Sequence, residues 1–115
     1  MRAAKVDNNQ GDIIRWFRGL GATVHPCQRV GEGFPDLVVG YRGVNLLVEV
    51  KQEGHKLRPN QKDWHEGWKG QCCVVRSLED VTGLLAGVDQ AGEPPEDNWR
   101  KVGDVIASMT KGAIS

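Results

Sequence analysis

The stretch GFPDLVVGYRGVNLLVEVKQ, residues 33–52, constrains the fold more tightly than any other part of the chain. Two apolar runs of strand length, rich in β-branched residues, meet at a Gly-Tyr-Arg-Gly turn, the pattern of a β-hairpin. Alternate residues of a strand share a face, and residues opposed across an antiparallel pair share it too. With Tyr41 and Arg42 as a two-residue loop, Val39 opposes Val44, Leu37 opposes Leu46 and Asp36 opposes Leu47. One face then carries Leu37, Val39, Val44, Leu46, Val48 and Val50, all apolar. The other carries Asp36, Val38, Asn45, Leu47, Glu49 and Lys51. A slip of one residue would mix charge into the apolar face, so the pattern itself enforces this division.

In that register Asp36 and Glu49 are diagonal neighbours, with Cα atoms roughly 7–8 Å apart. Two carboxylates so placed can reach one cation between them at metal–oxygen distances of about 2.1 Å, which suits Mg2+. Lys51, further along the same face, would sit beside the ion. Without an ion, two acids this close repel and raise one another's pKa. A purely structural reading has Asp36 capping a turn and Glu49 paired with Lys51 on a solvated face. Geometry alone leaves both readings open.

The rest of the chain supplies partners for the hairpin. Residues 7–19 read as a helix, with helical spacing of Ile13, Ile14, Phe17 and Leu20, Asp7 or Asn8 as cap and Gln10 on the apolar side. ATVHPC (22–27) reads as a strand. Pro59 is suited to a first helical position and opens PNQKDWHEGWKG, on which Gln61, Trp64, His65 and Trp68 share a side. CCVVR (72–76) is a strand, and Ser77 starts a helix to about Leu85. The order is helix, three strands, helix, strand, helix: an α/β fold with a mixed sheet. GVDQAGEPP reads as a linker, and Trp99, Val102, Val105, Ile106 and Met109 form an amphipathic stripe suited to docking on the body or a second subunit.

Composition narrows the function classes. A chain of 115 residues, 39% hydrophobic and 26% charged, is one globular domain's worth. No apolar run approaches the roughly 20 residues that span a bilayer, and no leader pattern precedes the first helix. Cys27, Cys72 and Cys73 lack CxxC spacing, and His25, His55 and His65 add no ligand pattern. This points to free thiols in a reducing cytoplasm and against zinc. Net charge is zero, but residues 1–78 hold 12 Lys/Arg against 8 Asp/Glu, and residues 79–115 hold 3 against 7. A basic body of this kind is compatible with a phosphate-binding surface.

The block G-x-G-x-P-D (Gly31, Gly33, Pro35, Asp36), then E-V-K (Glu49, Val50, Lys51), then L-x-P-x-Q (Leu57, Pro59, Gln61) resembles the VRR-NUC family. That family is the virus-type replication-repair branch of the PD-(D/E)xK nuclease superfamily. The resemblance runs from about Asp7 to Val81. It implies a restriction-endonuclease-like core over residues 1–87, followed by a linker and C-terminal helix over 88–115. It further implies a Mg2+- or Mn2+-dependent DNA endonuclease with no organic cofactor and no membrane partner. By that resemblance Asp36, Glu49 and the Val50 carbonyl hold the metal, Lys51 orients or activates the attacking water, and Gln61 steadies Lys51 or the water. Stand-alone members look like homodimers acting on branched DNA such as Holliday junctions, in the cytoplasm of a bacterial host when virus- or prophage-encoded.

Two positions depart from the family pattern. An acid is usual on the first helix, where DNNQ places Gln10, an uncharged candidate for the metal site. Ser or Thr is usual before the helix-start proline, where this chain has Arg58. Arg58, with Arg42, Lys56 and Lys62, is a candidate phosphate contact, and Arg15 and Arg18 are further basic positions. The departure at Gln10 leaves an alternative function, a DNA-binding module whose cleavage is weak or lost.

Overall fold

The computed structural model describes residues 9–91. Its elements are α1 (Gln10–Gly19), β1 (Thr23–Pro26), β2 (Leu37–Tyr41), β3 (Val44–Val50), α2 (Pro59–Gly67), β4 (Cys73–Val75) and α3 (Leu78–Ala91), in the expected order. The strands form one sheet in the order β1-β2-β3-β4. β2 pairs antiparallel with β1 on one side and with β3 on the other, whereas β4 returns parallel to β3 through α2. The fold is therefore α/β with a mixed sheet.

The hairpin forms two residues away from the expected register. Tyr41 opposes Val44 and Leu37 opposes Val48, so the loop residues are Arg42 and Gly43. Both have positive φ, 50° and 81°. A two-residue hairpin loop of the type I′ class needs positive φ at both positions, and glycine adopts it without steric penalty. Centring the loop on Tyr41 and Arg42 would have put two side-chain-bearing residues there. Continuing the observed register by one step sets Asp36 opposite Glu49. The two acids are directly paired rather than diagonal, which corrects the expected spacing. Because the displacement is even, the division of faces is unchanged.

The apolar face holds the core. Leu37, Val39, Leu46, Val48 and Val50 pack with Val75 of β4, with Ile13 and Phe17 of α1, and with Val81 and Leu85 of α3. All but Leu46 and Leu85 are at most 1% exposed. In α1 the spacing of Ile13 and Phe17 places both on one side of the helix. α2 buries one residue, Gln61. Gln61 is bonded to Glu49, which points away from the core, so α2 lies over the other face.

Helix ends differ in detail from the sequence reading. Asp7 and Asn8, expected as caps, lie outside the described residues. Asn9 occupies the N-cap position but makes no side-chain cap bond. Its Nδ2 instead donates to the carbonyls of Lys51 (3.0 Å) and Arg76 (3.2 Å), tying the start of α1 to the ends of β3 and β4. α3 continues past Leu85 to Ala91, because Val81, Leu84, Leu85 and Val88 extend a helical stripe onto the core. The first residues of the expected linker are thus helical. The remainder of that linker and the Trp99–Met109 stripe lie outside the described residues. Among the described residues, no helix is long and apolar enough to cross a membrane.

Candidate active site

The loop before β2 sets the site's geometry through a glycine. Gly33 has φ 82°, and a Cβ there would stand 2.5 Å from the Asn60 carbonyl oxygen and 3.0 Å from Trp64 Cβ. Only glycine lets the loop press onto the first turn of α2 at this distance. Pro35 follows, fully buried, and then Asp36, whose carbonyl accepts the Cys27 N–H at 2.6 Å. Asp36 is thereby held at the end of the hairpin remote from its turn, beneath α2.

Four side chains converge there. Asp36 Oδ2 accepts the Val50 N–H at 2.9 Å. Glu49 is 1% exposed, and its Oε2 accepts from Gln61 Nε2 at 2.8 Å. Gln61 Oε1 in turn accepts the Arg58 N–H at 2.8 Å, the half of a capping box that an arginine N-cap permits. Lys51, 5% exposed, follows on the same face as Glu49. Its backbone N–H donates to Val75 O at 3.1 Å, so the parallel β3–β4 pairing fixes its position. The Gln61 amide thus bridges Glu49 and the start of α2.

The electrostatics of Glu49 are unusual for a strand carboxylate. Burial, followed by the charge of Asp36, pushes Glu49 up to about 8; Lys51 and Arg58 pull the other way. Glu49 Oε1 is buried and has no hydrogen-bond partner among the described residues. A buried acceptor left unpaired typically costs about 1–3 kcal/mol. A cation bound between the two acids would satisfy it. Among the described residues no cluster of three His, Cys, Asp or Glu exists that could hold a metal. Asp36 and Glu49 supply two carboxylates, hard oxygen donors of the kind that suit Mg2+ or Mn2+.

Gln10 is buried, with Nε2 3.5 Å from Gln28 Oε1 and its own Oε1 without a partner. No hydrogen bond links it to Asp36 or Glu49 among the described residues. Arg42 sits at the hairpin turn, at the far end of the strands, where its Nε meets Asp89 of α3 at 3.2 Å and Tyr41 OH donates to the same carboxylate. Lys56, Arg58 and Lys62 are exposed on and just before α2, on the side of the acids. Asn9 escapes sequence reasoning. Its only sequence signal is a position next to the helix start, where a local cap is the default reading.

Comparison with known proteins bears on this arrangement. A family model, the VRR-NUC domain, matches residues 3–77, about two-thirds of the chain. A solved structure titled "VRR_NUC domain" is 32% identical, with a TM-score of 0.56 over 68% of this chain and 95% of that one. No curated protein matches the chain.

Proposed function

The chain belongs to the VRR-NUC family of nuclease domains, and from that premise we propose that it is a metal-dependent DNA endonuclease acting on branched DNA. The observation that carries the reading is the unpartnered, buried Oε1 of Glu49 opposite Asp36, with Lys51 on the same face. Asp36, Glu49 and the Val50 carbonyl would hold Mg2+ or Mn2+. When bound, the ion supplies polarisation of the phosphate and a water of lowered pKa. Lys51 places a positive charge where negative charge develops on the phosphate, and its burial strengthens that effect. Gln61 keeps the Glu49 carboxylate oriented, with Oε1 turned to the open position. The exposed Lys56, Arg58 and Lys62 flank the site as phosphate contacts, whereas Arg42, paired with Asp89, is better placed as a brace of the hairpin turn.

Residues 1–87 would form the catalytic unit and residues 88–115 an oligomer contact in a cytoplasmic homodimer. α3 crosses that boundary to Ala91, so a truncation testing it begins at residue 92. Light scattering should show a smaller species, and an unchanged assembly would remove the dimer contact from that segment.

The decisive experiment offers junction, flap, nicked and linear DNA with Mg2+ or Mn2+. Cleavage should require the metal and be fastest on the junction. Lys51→Ala should cut none of them while melting and binding DNA nearly as the parent does. No cleavage of any substrate with either metal would refute the reading.

Gln10 favours a second reading, a DNA-binding module with weak cleavage, since this position lacks a charge. Gln10→Glu separates the two. If the position belongs to the metal site, the variant binds Mg2+ more tightly and cuts faster at limiting metal. If Gln10 is a buried amide facing Gln28, the variant melts lower and gains nothing.

A further inference from the structure

Trp64 and Trp68 form a ladder on α2 that neither the core nor the acid site requires. Their rings are stacked, with centroids 4.5 Å apart and planes 17° from parallel. Trp64 is fixed from behind by the edge of Phe34, at 5.3 Å and 78°. Its Cβ lies against the Gly33 loop, which cannot move away without disturbing the approach to Asp36. Trp68 is 44% exposed. One of its faces lies on Trp64, so the ring is backed on that side while the residue stays substantially open to solvent.

An ordered, flat and open indole is costly to leave in water, and it is the shape on which a planar ring stacks. The charge around it selects the ring's carrier. Between Lys56 and Lys69 the chain has four Lys/Arg against two Asp/Glu. Lys62 and Lys69 are exposed on either side of the tryptophans in sequence. Position along the helix links the ladder to the chemistry. Gln61, bonded to Glu49, is about two turns before Trp68 on the same helical side, roughly 10 Å along the axis. At about 3.4 Å per nucleotide of one strand, that is around three nucleotides.

We propose that Trp68, backed by Trp64, is a stacking platform for an unpaired DNA base a few nucleotides from the phosphate held at Asp36 and Glu49. The platform deepens the nuclease reading and rests on it for the position of that phosphate. Base stacking on an aromatic side chain tolerates any sequence, so the platform selects for unpaired strand rather than for a base identity. Branched DNA presents such bases where helices part.

The experiment measures binding by the full chain, without metal, of a short oligothymidylate and of a blunt duplex of equal length. The oligothymidylate should quench tryptophan fluorescence. Trp68→Ala should weaken its binding by about 5- to 150-fold and change duplex affinity less than about twofold. Trp68→Phe should restore most of the loss. Trp68 lies past the last helical residue and contributes little to the core, so the variants should melt like the parent. Equal losses on both DNAs, or no loss on the oligothymidylate, would overturn the platform. A smaller assembly with unchanged oligonucleotide affinity would identify the ladder as a contact between copies and overturn it as well. Because binding is read without metal or cleavage, a Trp68-dependent preference in a protein that cuts nothing would refute the nuclease reading alone. A nuclease indifferent to Trp68 would refute the platform alone.

Discussion

The two faces of the central hairpin share the same strands and backbone, yet they solve opposite problems. On one face Leu37, Val39, Val48 and Val50 meet Ile13, Phe17 and Val81, all fully buried. The contacts among these side chains are apolar and non-directional. On the other face Asp36 accepts the Val50 N–H, Gln61 donates to Glu49, Lys51 lies beside them, and Glu49 Oε1 has no partner among the described residues. The first face is organised for stability. The second keeps an unsatisfied carboxylate in place, which only a well-packed first face can support. Substitutions should therefore separate stability from activity according to the face they strike.

The largest effect should come from the apolar face. Phe17→Ala removes a fully buried ring and should cost about 3–5 kcal/mol in denaturant unfolding, while folded molecules keep their metal affinity. A loss under about 1 kcal/mol would mean that α1 is not closely packed on the sheet.

Gly33→Ala strikes the junction between the faces. The added methyl would meet the Asn60 carbonyl in a backbone conformation unfavourable to alanine. It should cost about 1–3 kcal/mol and weaken Mn2+ binding, because α2 and its Gln61 must shift. Calorimetry showing full Mn2+ affinity would detach the loop from the site.

Glu49→Gln should reverse the sign. Glu49 is held near 8 in the fold and ionises at about 4.5 when unfolded, so the native state prefers it protonated. Metal-free wild-type protein should lose stability as pH rises from about 4.5 to 8 and level off above that. The glutamine variant lacks this loss, so its advantage should grow over the same interval while Mn2+ binding disappears. Parallel pH–stability curves for the two proteins would show that burial does not disfavour the charge.

The smallest effect is expected at the hairpin's turn. Asp89→Asn breaks the exposed Arg42–Asp89 pair and should change stability by less than about 1 kcal/mol, with cleavage unaffected. A large fall in activity would extend the site along the whole hairpin.

Much of this arrangement is legible in the amino-acid sequence alone. The alternation over residues 36–51 divides core from acid face, and the division holds in either hairpin register because an even displacement preserves parity. Gly31, Gly33, Pro35, Asp36, Glu49, Lys51 and Gln61 carry the family resemblance. Sequence underestimates the length of α3 because Gly87 and the polar residues after it look like a linker unless Val88 is known to face the core. It does not show the bond from Gln61 to Glu49, because spacing places a side chain on a face but not which neighbour it reaches.

Element order, the two faces and the identity of the acid-lysine set come from local periodicity and short motifs, which depend on residues a few positions apart. Tertiary structure decided the rest. It set Asp36 opposite Glu49 through the positive φ of Arg42 and Gly43. It recruited Asn9 to carbonyls 42 and 67 residues away. It made Gly33 obligatory by bringing a helix carbonyl against it. It also left Trp68 open while covering Trp64. Each of these depends on which backbone and side-chain groups meet after the chain closes, and hydrogen bonds and steric limits act only at contact distance.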